Sequence, residues 1–318
     1  MSIKVKQFII QNTKAWDDFI DDSNNGTLFH MRSFLTYHEN IKFQDHSLLF
    51  YSNNTIIAVL PASIHDDIFC SHPGISFGSF IYQKQLSFSD ANKIVDAFLL
   101  YIKKLSCKKI KLTFPPKCYY ANMSDYIEFC LFSNGFIYNK LELSNIVKLH
   151  DNFNLVYKQY KPSARQAYRR AERSGISINQ SNNFNEFYKI LTNNLSLRHN
   201  VSPTHSLSEL KKISKLFPTK INLFTATLDS KIIAGVINFI CNNNTVLAFY
   251  ISHNPEFQNA RPLNMLFTHI FKWSIENGYK YYDFGLFTVN GEPNLSLARF
   301  KESFGAEGVF RKTMILDC

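Results

Sequence analysis

One order of elements is written twice along this chain, and that doubling limits the folds open to it more than any single motif. The turn Asn53-Asn54 joins two β-rich runs, 47–51 and 55–63; 176 residues later, Asp229-Ser230 joins 221–228 and 232–240. A two-residue polar connection between such runs is a hairpin signal. Each hairpin is followed by a loop, a long amphipathic helix and another strand. In the first half the helix spans 89–105, with Ser89 as its cap and Ile94, Val95, Phe98, Leu99, Ile102 and Leu105 on one stripe. In the second half it spans 262–277, with Leu263, Leu266, Ile270 and Trp273 on one face. Strand positions Ile110, Leu112 and Phe114 then stand 172 residues before Tyr282, Phe284 and Leu286. The expectation is an α/β chain of mixed sheets in two domains related by duplication, 1–150 and 151–318.

The remaining elements fit between these anchors. A strand is expected at 4–10, helices at 15–20, 33–41 and 125–133, and a strand at 137–149. A basic helix at 163–173 opens the second half, followed by helices at 185–195 and 206–216 and a strand at 246–253. The stretch 280–306 closes the pattern with an aromatic strand, 281–286, a polar loop, 288–294, and a short helix, 295–304, ended by Gly305. Phe300 and Phe304 share one helix face there, and Lys301 is turned away from Phe300 by about a hundred degrees.

Composition narrows the class. Apolar residues make up 45% of the 318, enough for a packed core, yet no run approaches the length that spans a bilayer. The first residues have no apolar run or small-residue cleavage site of a signal peptide. Six scattered cysteines without a C-x-x-C pair read as reduced thiols, and the expected compartment is cytoplasmic. No Walker loop, H-E-x-x-H or G-x-S-x-G is present, so NTPase, zincin and serine hydrolase chemistry have no support, and no metal is implied. The net charge of +10 suits either a solvated basic surface or a polyanionic partner. That partner can be tRNA, a nucleotide-linked precursor, coenzyme A phosphates or an anionic membrane face, with peripheral contact only; DNA is not indicated.

Five motifs in order carry a resemblance. They are Ser71-His72-Pro73-Gly74, Pro115-Pro116-Lys117-Cys118-Tyr119-Tyr120, the segment 165–175 (RQAYRRAERSG), Tyr282-Asp283-Phe284-Gly285, and 299–306 (RFKESFGA). With them the chain resembles the FemAB-like branch of the GNAT acyltransferase superfamily, whose members carry tandem GNAT domains. The resemblance implies an acyltransferase of cell-surface polymer synthesis, with the site in the cleft between domains and the chemistry mostly in the second. It implies no permanently bound cofactor; acyl-CoA, or aminoacyl-tRNA, serves as co-substrate. One departure bears on the donor: 258–262 (QNARP), where a GNAT enzyme cradles pyrophosphate, contains no glycine. Asn259 and Arg261 are the candidate donor-binding residues, since Arg261 can still pair with phosphate.

The resemblance places Lys301 near the acyl donor, where an ammonium can neutralise developing negative charge. Asp283, on a central strand, is either a base or a structural partner of Arg299 or Arg261. Glu292 in the polar loop can take a proton from an amine, and Asn290 beside it can contact substrate. Tyr250 is either a group near the leaving group or a core aromatic with its hydroxyl satisfied. On the acceptor side stand His72, a loop histidine able to bind or deprotonate, and Tyr119 and Tyr120, able to stack or simply pack. Arg165, Arg169, Arg170 and Arg173 form either a phosphate grip or a solvated basic face. Three functions remain open at this point. They are acyl transfer from acyl-CoA to an amino sugar or nucleotide-linked precursor, aminoacyl transfer from tRNA, and non-catalytic binding of a glycan precursor or partner.

Overall fold

In the computed structural model, which describes residues 2–37, 44–199 and 202–318 and only the backbone of 197–199, both two-residue turns are left-handed. Asn53 and Asn54 have φ of 48° and 64°, and Asp229 and Ser230 have 48° and 63°. That backbone matches the right-handed twist of the flanking strands. The doubling extends further than the turns. The ladder shifts register between Phe50 and Tyr51 in the first hairpin and between Ala226 and Thr227 in the second. Both irregularities are separated by the same 176 residues as the turns.

The chain divides into two units, Met1–Leu143 with Phe310–Cys318, and Ser144–Val309. The first contains β1 (Lys4–Gln7), α1 (Thr13–Asp22), α2 (Arg32–Leu35), β2 (Gln44–Asp45), β3 (Leu48–Ser52), β4 (Thr55–Leu60), β5 (Ala62–His65), β6 (Ile68–Ser71) and β7 (Ile81–Tyr82). It continues with α3 (Phe88–Ile102), β8 (Lys109–Thr113), α4 (Tyr126–Ser133) and the start of β9 (Ile137–Lys148). Of the helix expected at 33–41, only 33–35 lie in α2, while 38–41 lie outside the described residues. The cap of α3 is Ser87 rather than Ser89: its Oγ accepts from the Asp90 N–H at 3.1 Å. Strands β1-β3-β4-β7 form one antiparallel ladder, while β5 pairs with β2 and with β6. Pro61 separates β4 from β5, and with no N–H to donate it ends one ladder before the other starts. Strand β6 then runs parallel to β8, with α3 as the crossover.

The second unit takes over within β9 and adds α5 (Phe153–Gln159), α6 (Pro162–Arg173), β10 (Ser177–Ser181), α7 (Phe184–His199) and α8 (Leu207–Leu216). After these come β11 (Ile221–Leu228), β12 (Lys231–Ile240), β13 (Thr245–His253), α9 (Pro262–Glu276) and β14 (Tyr281–Leu286). Here the counterpart of β4 and β5 is the unbroken β12, which pairs with both β11 and β13. Strand β13 runs parallel to β14 across α9, as β6 does to β8 across α3. Helix α7 rests closely on this sheet, because Gly235 of β12 leaves room for Phe187: a Cβ at 235 would stand 2.4 Å from that ring.

The polar loop expected at 288–294 is a small hairpin, β15 (Thr288–Val289) and β16 (Glu292–Pro293), turned at Asn290-Gly291. Helix α10 (Leu295–Glu302) follows, and β17 (Glu307–Asp317) returns the chain to pair with β8 in the first unit. Each unit has its own core. In the first, Phe98 contacts Phe69 and Phe80 at 5.5 and 5.2 Å between ring centroids. In the second, Phe271 of α9 meets Tyr282 at 5.0 Å, Phe284 at 5.9 Å and Phe304 at 6.1 Å. Losing one such ring costs about 3–5 kcal/mol.

Candidate functional site

Strands β13 and β14 pair over only three residues, Thr245–Leu247 against Tyr281–Asp283. Both strands continue past that point, so the ladder opens inside the second unit. On its other side β14 shifts register against β9 between Asp283 and Leu286. Gly285 sits in this irregularity with φ of +74°, a conformation that only glycine adopts without strain. Two charged side chains hold it. Asp283, 2% exposed, accepts at Oδ1 from the Gly285 N–H at 2.7 Å and from Ser144 Oγ at 2.5 Å. Lys301, also 2% exposed, donates from Nζ to the carbonyls of Gly285 and Leu286, both at 2.8 Å.

The aim of Lys301 follows from the roll of α10. Asn294 caps this helix by accepting the Leu297 N–H at 3.0 Å. Phe300 and Phe304 face α9, with ring centroids 6.0 and 5.5 Å from Phe267. With those two rings fixed, the next residue, Lys301, is turned to the Gly285 bulge. Burial lowers its pKa to about 8, against a smaller opposing pull from the Asp283 charge. At pH 7 it remains an ammonium with three N–H donors, two of them used on the carbonyls. A cation with a spare donor, fixed where two strands part, is equipped to receive an anion or an oxyanion.

Tyr250 lies on β13 just past a register shift between β12 and β13. Its hydroxyl accepts the His205 N–H at 3.1 Å, lies 2.9 Å from His205 Nδ1, and is pushed up to about 12, chiefly by burial. It therefore pins the approach to α8. Glu292 and Asn290 are exposed on the β15–β16 hairpin. Arg261 caps α9 with φ of 58°, an uncommon left-handed conformation for arginine, and Asn259 precedes it on the exposed turn Pro255–Ala260. On α6, Arg165 is tied back, donating from Nη2 to the Lys158 carbonyl at 2.7 Å and standing 5.6 Å from the Tyr157 ring centre. Arg169, Arg170 and Arg173 are exposed. Asp283 accepts from Ser144 and from the Gly285 N–H at one carboxylate oxygen, which is a holding role rather than a proton-transfer one.

The acceptor-side candidates belong to the first unit. His72 is buried, with Nδ1 2.8 Å from the Pro73 carbonyl oxygen, and borders a recess of about 310 Å³ with Lys111 and Thr113. Tyr119 is fully buried, its ring 4.9 Å from Phe77, and Tyr120 is buried beneath the Lys117 ammonium at 4.4 Å. Both rings are covered by protein, so they pack rather than offer open stacking faces. Among the described residues no group of three His, Cys, Asp or Glu side chains is placed to hold a metal, and no helix is long and apolar enough to cross a membrane.

Sequence reasoning did not find Ser144, which holds Asp283 from 139 positions away. It also missed the buried bond from Tyr282 Oη to Asn238 Oδ1 at 2.7 Å. No local signal marks either, since a lone Ser or Asn in a strand reads as an ordinary strand residue. His205 was detectable only through the capping box of Ser206 and Glu209 that follows it.

Residues 158–301 match the model of the acetyltransferase (GNAT) domain family. Among solved structures the chain is similar to FemX, with a TM-score of 0.75 at 12% identity, covering 99% of this chain and 97% of that one. It is also similar to L-PGS from Bacillus licheniformis (TM-score 0.60, 13% identity, 96% and 91% covered). A third is a tandem GNAT protein from the clavulanic acid biosynthesis pathway (TM-score 0.55, 8% identity, 99% and 98% covered). No curated protein matches the sequence. With the repeated hairpin, the parallel pair and the matched domain in hand, the chain has the tandem GNAT fold, and its residues 158–301 match the GNAT acetyltransferase domain.

Proposed function

We propose that this protein is an N-acyltransferase that moves an acyl group from an activated donor, acyl-CoA, to the amine of an amino sugar or nucleotide-linked precursor of a cell-surface polysaccharide. The amine nitrogen attacks the thioester carbonyl, the C–N bond forms, the C–S bond breaks, and the proton lost by the amine ends on the departing thiolate. No covalent enzyme intermediate is required, so positioning and charge stabilisation supply the rate. In this reading Lys301 stabilises the oxyanion and Glu292 draws the proton from the attacking amine. Arg261 and Asn259 meet the donor's phosphates at the start of α9, and Arg165, Arg169 and Asn290 meet the acceptor. Tyr250 and Asp283 hold the backbone around the reacting groups.

The observation that carries the reading is the buried Lys301 ammonium, bound to two backbone carbonyls where the parallel ladder ends. Burying a charge there is costly, and the two carbonyls use only two of its three N–H donors. The test is Lys301→Met, with thiol release from acyl-CoA as the assay and circular dichroism as the folding control. Turnover is expected to fall about 10²–10³-fold, as for loss of one oxyanion donor. Unchanged turnover in the folded variant would remove Lys301 from the chemistry.

A second reading, aminoacyl transfer from tRNA, draws support from the exposed Arg169, Arg170 and Arg173 and from the glycine-free turn before α9. Thermal-shift titrations with coenzyme A, acyl-CoA and uncharged tRNA separate the two. Stabilisation by the coenzymes alone supports the first, and stabilisation by tRNA alone supports the second.

A further inference from the structure

Helix α4 is apolar on more than one face. Ile127, Cys130 and Leu131 are buried in the core of the first unit, yet Tyr126, Phe129 and Phe132 are 44%, 56% and 57% exposed. Met123 just before the helix is 74% exposed, and Phe88 at the start of α3 is 46% exposed. The side chains form one surface: the Phe88 ring lies 5.6 Å from Tyr126 and 5.8 Å from Phe129, and Phe132 is the next neighbour along α4. Leu86, Phe88, Met123, Tyr126 and Phe129 also line a groove of about 720 Å³. At about 200 Å² for a fully exposed side chain of this size, the five leave roughly 550 Å² of apolar side chain in water, near the upper end for a monomer.

We infer that this face is the contact between two copies of this chain, related by a two-fold axis and independent of the acyl-transfer reading. Three observations favour a second copy. The first is area: the five side chains from each copy alone supply roughly 1,100 Å², above the approximate 1,000 Å² of a specific interface. The second is shape. The groove between the start of α3 and α4 has Phe129 on its wall, and exposed Phe132 follows one turn along α4, so a two-fold contact can set one copy's Phe132 against the other's groove. The third is charge. The two charged side chains lining the groove are already paired within the unit, Lys84 to Asp22 at 2.6 Å and Asp125 to Lys117 at 2.5 Å. The first unit has 16 Lys+Arg against 14 Asp+Glu. An anionic lipid surface rewards unpaired lysines and arginines, which this face lacks, whereas a neutral apolar face pairs with its own copy without stranding a charge.

The test is the solution mass of the full chain by light scattering and sedimentation equilibrium up to about 100 μM, which detects a dimer with a Kd in the micromolar range. The wild type is compared with Phe129→Asp and with Ile10→Asp, a control at another exposed apolar site. The expected result is a dimer for the wild type and for Ile10→Asp, with the mass falling about twofold for Phe129→Asp while its circular dichroism is unchanged. A wild type that stays monomeric overturns the inference. So does a dimer that persists in Phe129→Asp, which would place the contact elsewhere. A monomer that binds vesicles of phosphatidylcholine and phosphatidylglycerol through Phe129 also overturns it, in favour of a membrane.

Discussion

Lys301 and Asp283 act on the two ends of one residue: the carboxylate holds the Gly285 N–H and the ammonium holds its carbonyl. The bulge is therefore defined by charges that must both be present, and the pH dependence of the lysine is informative. Its pKa in the folded protein is about 8, below the ordinary 10.5, because burial disfavours the ammonium. Between those two values the unfolded chain binds more protons at this position than the folded one. Its contribution to stability therefore rises with pH across that window, by at most about 1.4 kcal/mol per unit. Activity should move the other way. If the cation stabilises an oxyanion, turnover falls as pH rises through about 8. That descending limb should be missing from whatever residual rate Lys301→Met retains. A pH–rate profile of both proteins at saturating substrate checks this, and a limb shared by both would assign it to another group.

At the scale of elements, the paired hairpins show how local chemistry was read and where it stopped being enough. Ser230 sits at φ of 63°, where glycine has no steric penalty and serine does. Ser230→Gly makes the turn Asp-Gly, the favoured form of this connection, and should stabilise the protein by about 0.5–1 kcal/mol, measured by urea unfolding. The turns, the two crossover helices and the strand Tyr281–Leu286 were legible because each depends on neighbours in sequence: turn residues, a helical stripe, a glycine stop. The splitting of the first unit's strand at Pro61 was not read, although proline's missing N–H was in view, because only the ladder shows what that N–H would have served. Strand β17 was missed because its partner, β8, lies some two hundred residues earlier. The site was legible in the same uneven way. Lys301 and Asp283 stood out as charges beside apolar positions, but Ser144 and the clamp around Gly285 exist only through tertiary contact.

Over the whole molecule, charge is divided unevenly. The unit Ser144–Val309 holds 19 of the 35 Lys+Arg and 11 of the 25 Asp+Glu, so eight of the ten net positive charges belong to it. That is also the unit with Lys301, Arg261 and α6, and a field of this sign raises the local concentration of any polyanionic donor or acceptor. Helix α6 is where this can be measured without disturbing the core. Arg165 is half-buried and anchored by the Lys158 carbonyl, while Arg169, Arg170 and Arg173 are exposed, Arg173 donating from Nε to the Arg169 carbonyl at 3.2 Å. Changing those three to Gln should leave unfolding almost unaltered, since isolated surface charges contribute little to stability. Uncharged tRNA serves as a generic polyanion probe. The triple variant should bind it more weakly, with a log–log salt slope shallower by about two, at roughly 0.7–0.9 for each phosphate no longer neutralised. If the slope is unchanged, the basic helix does not touch phosphate, and the excess charge on this unit acts through residues nearer α9 and α10.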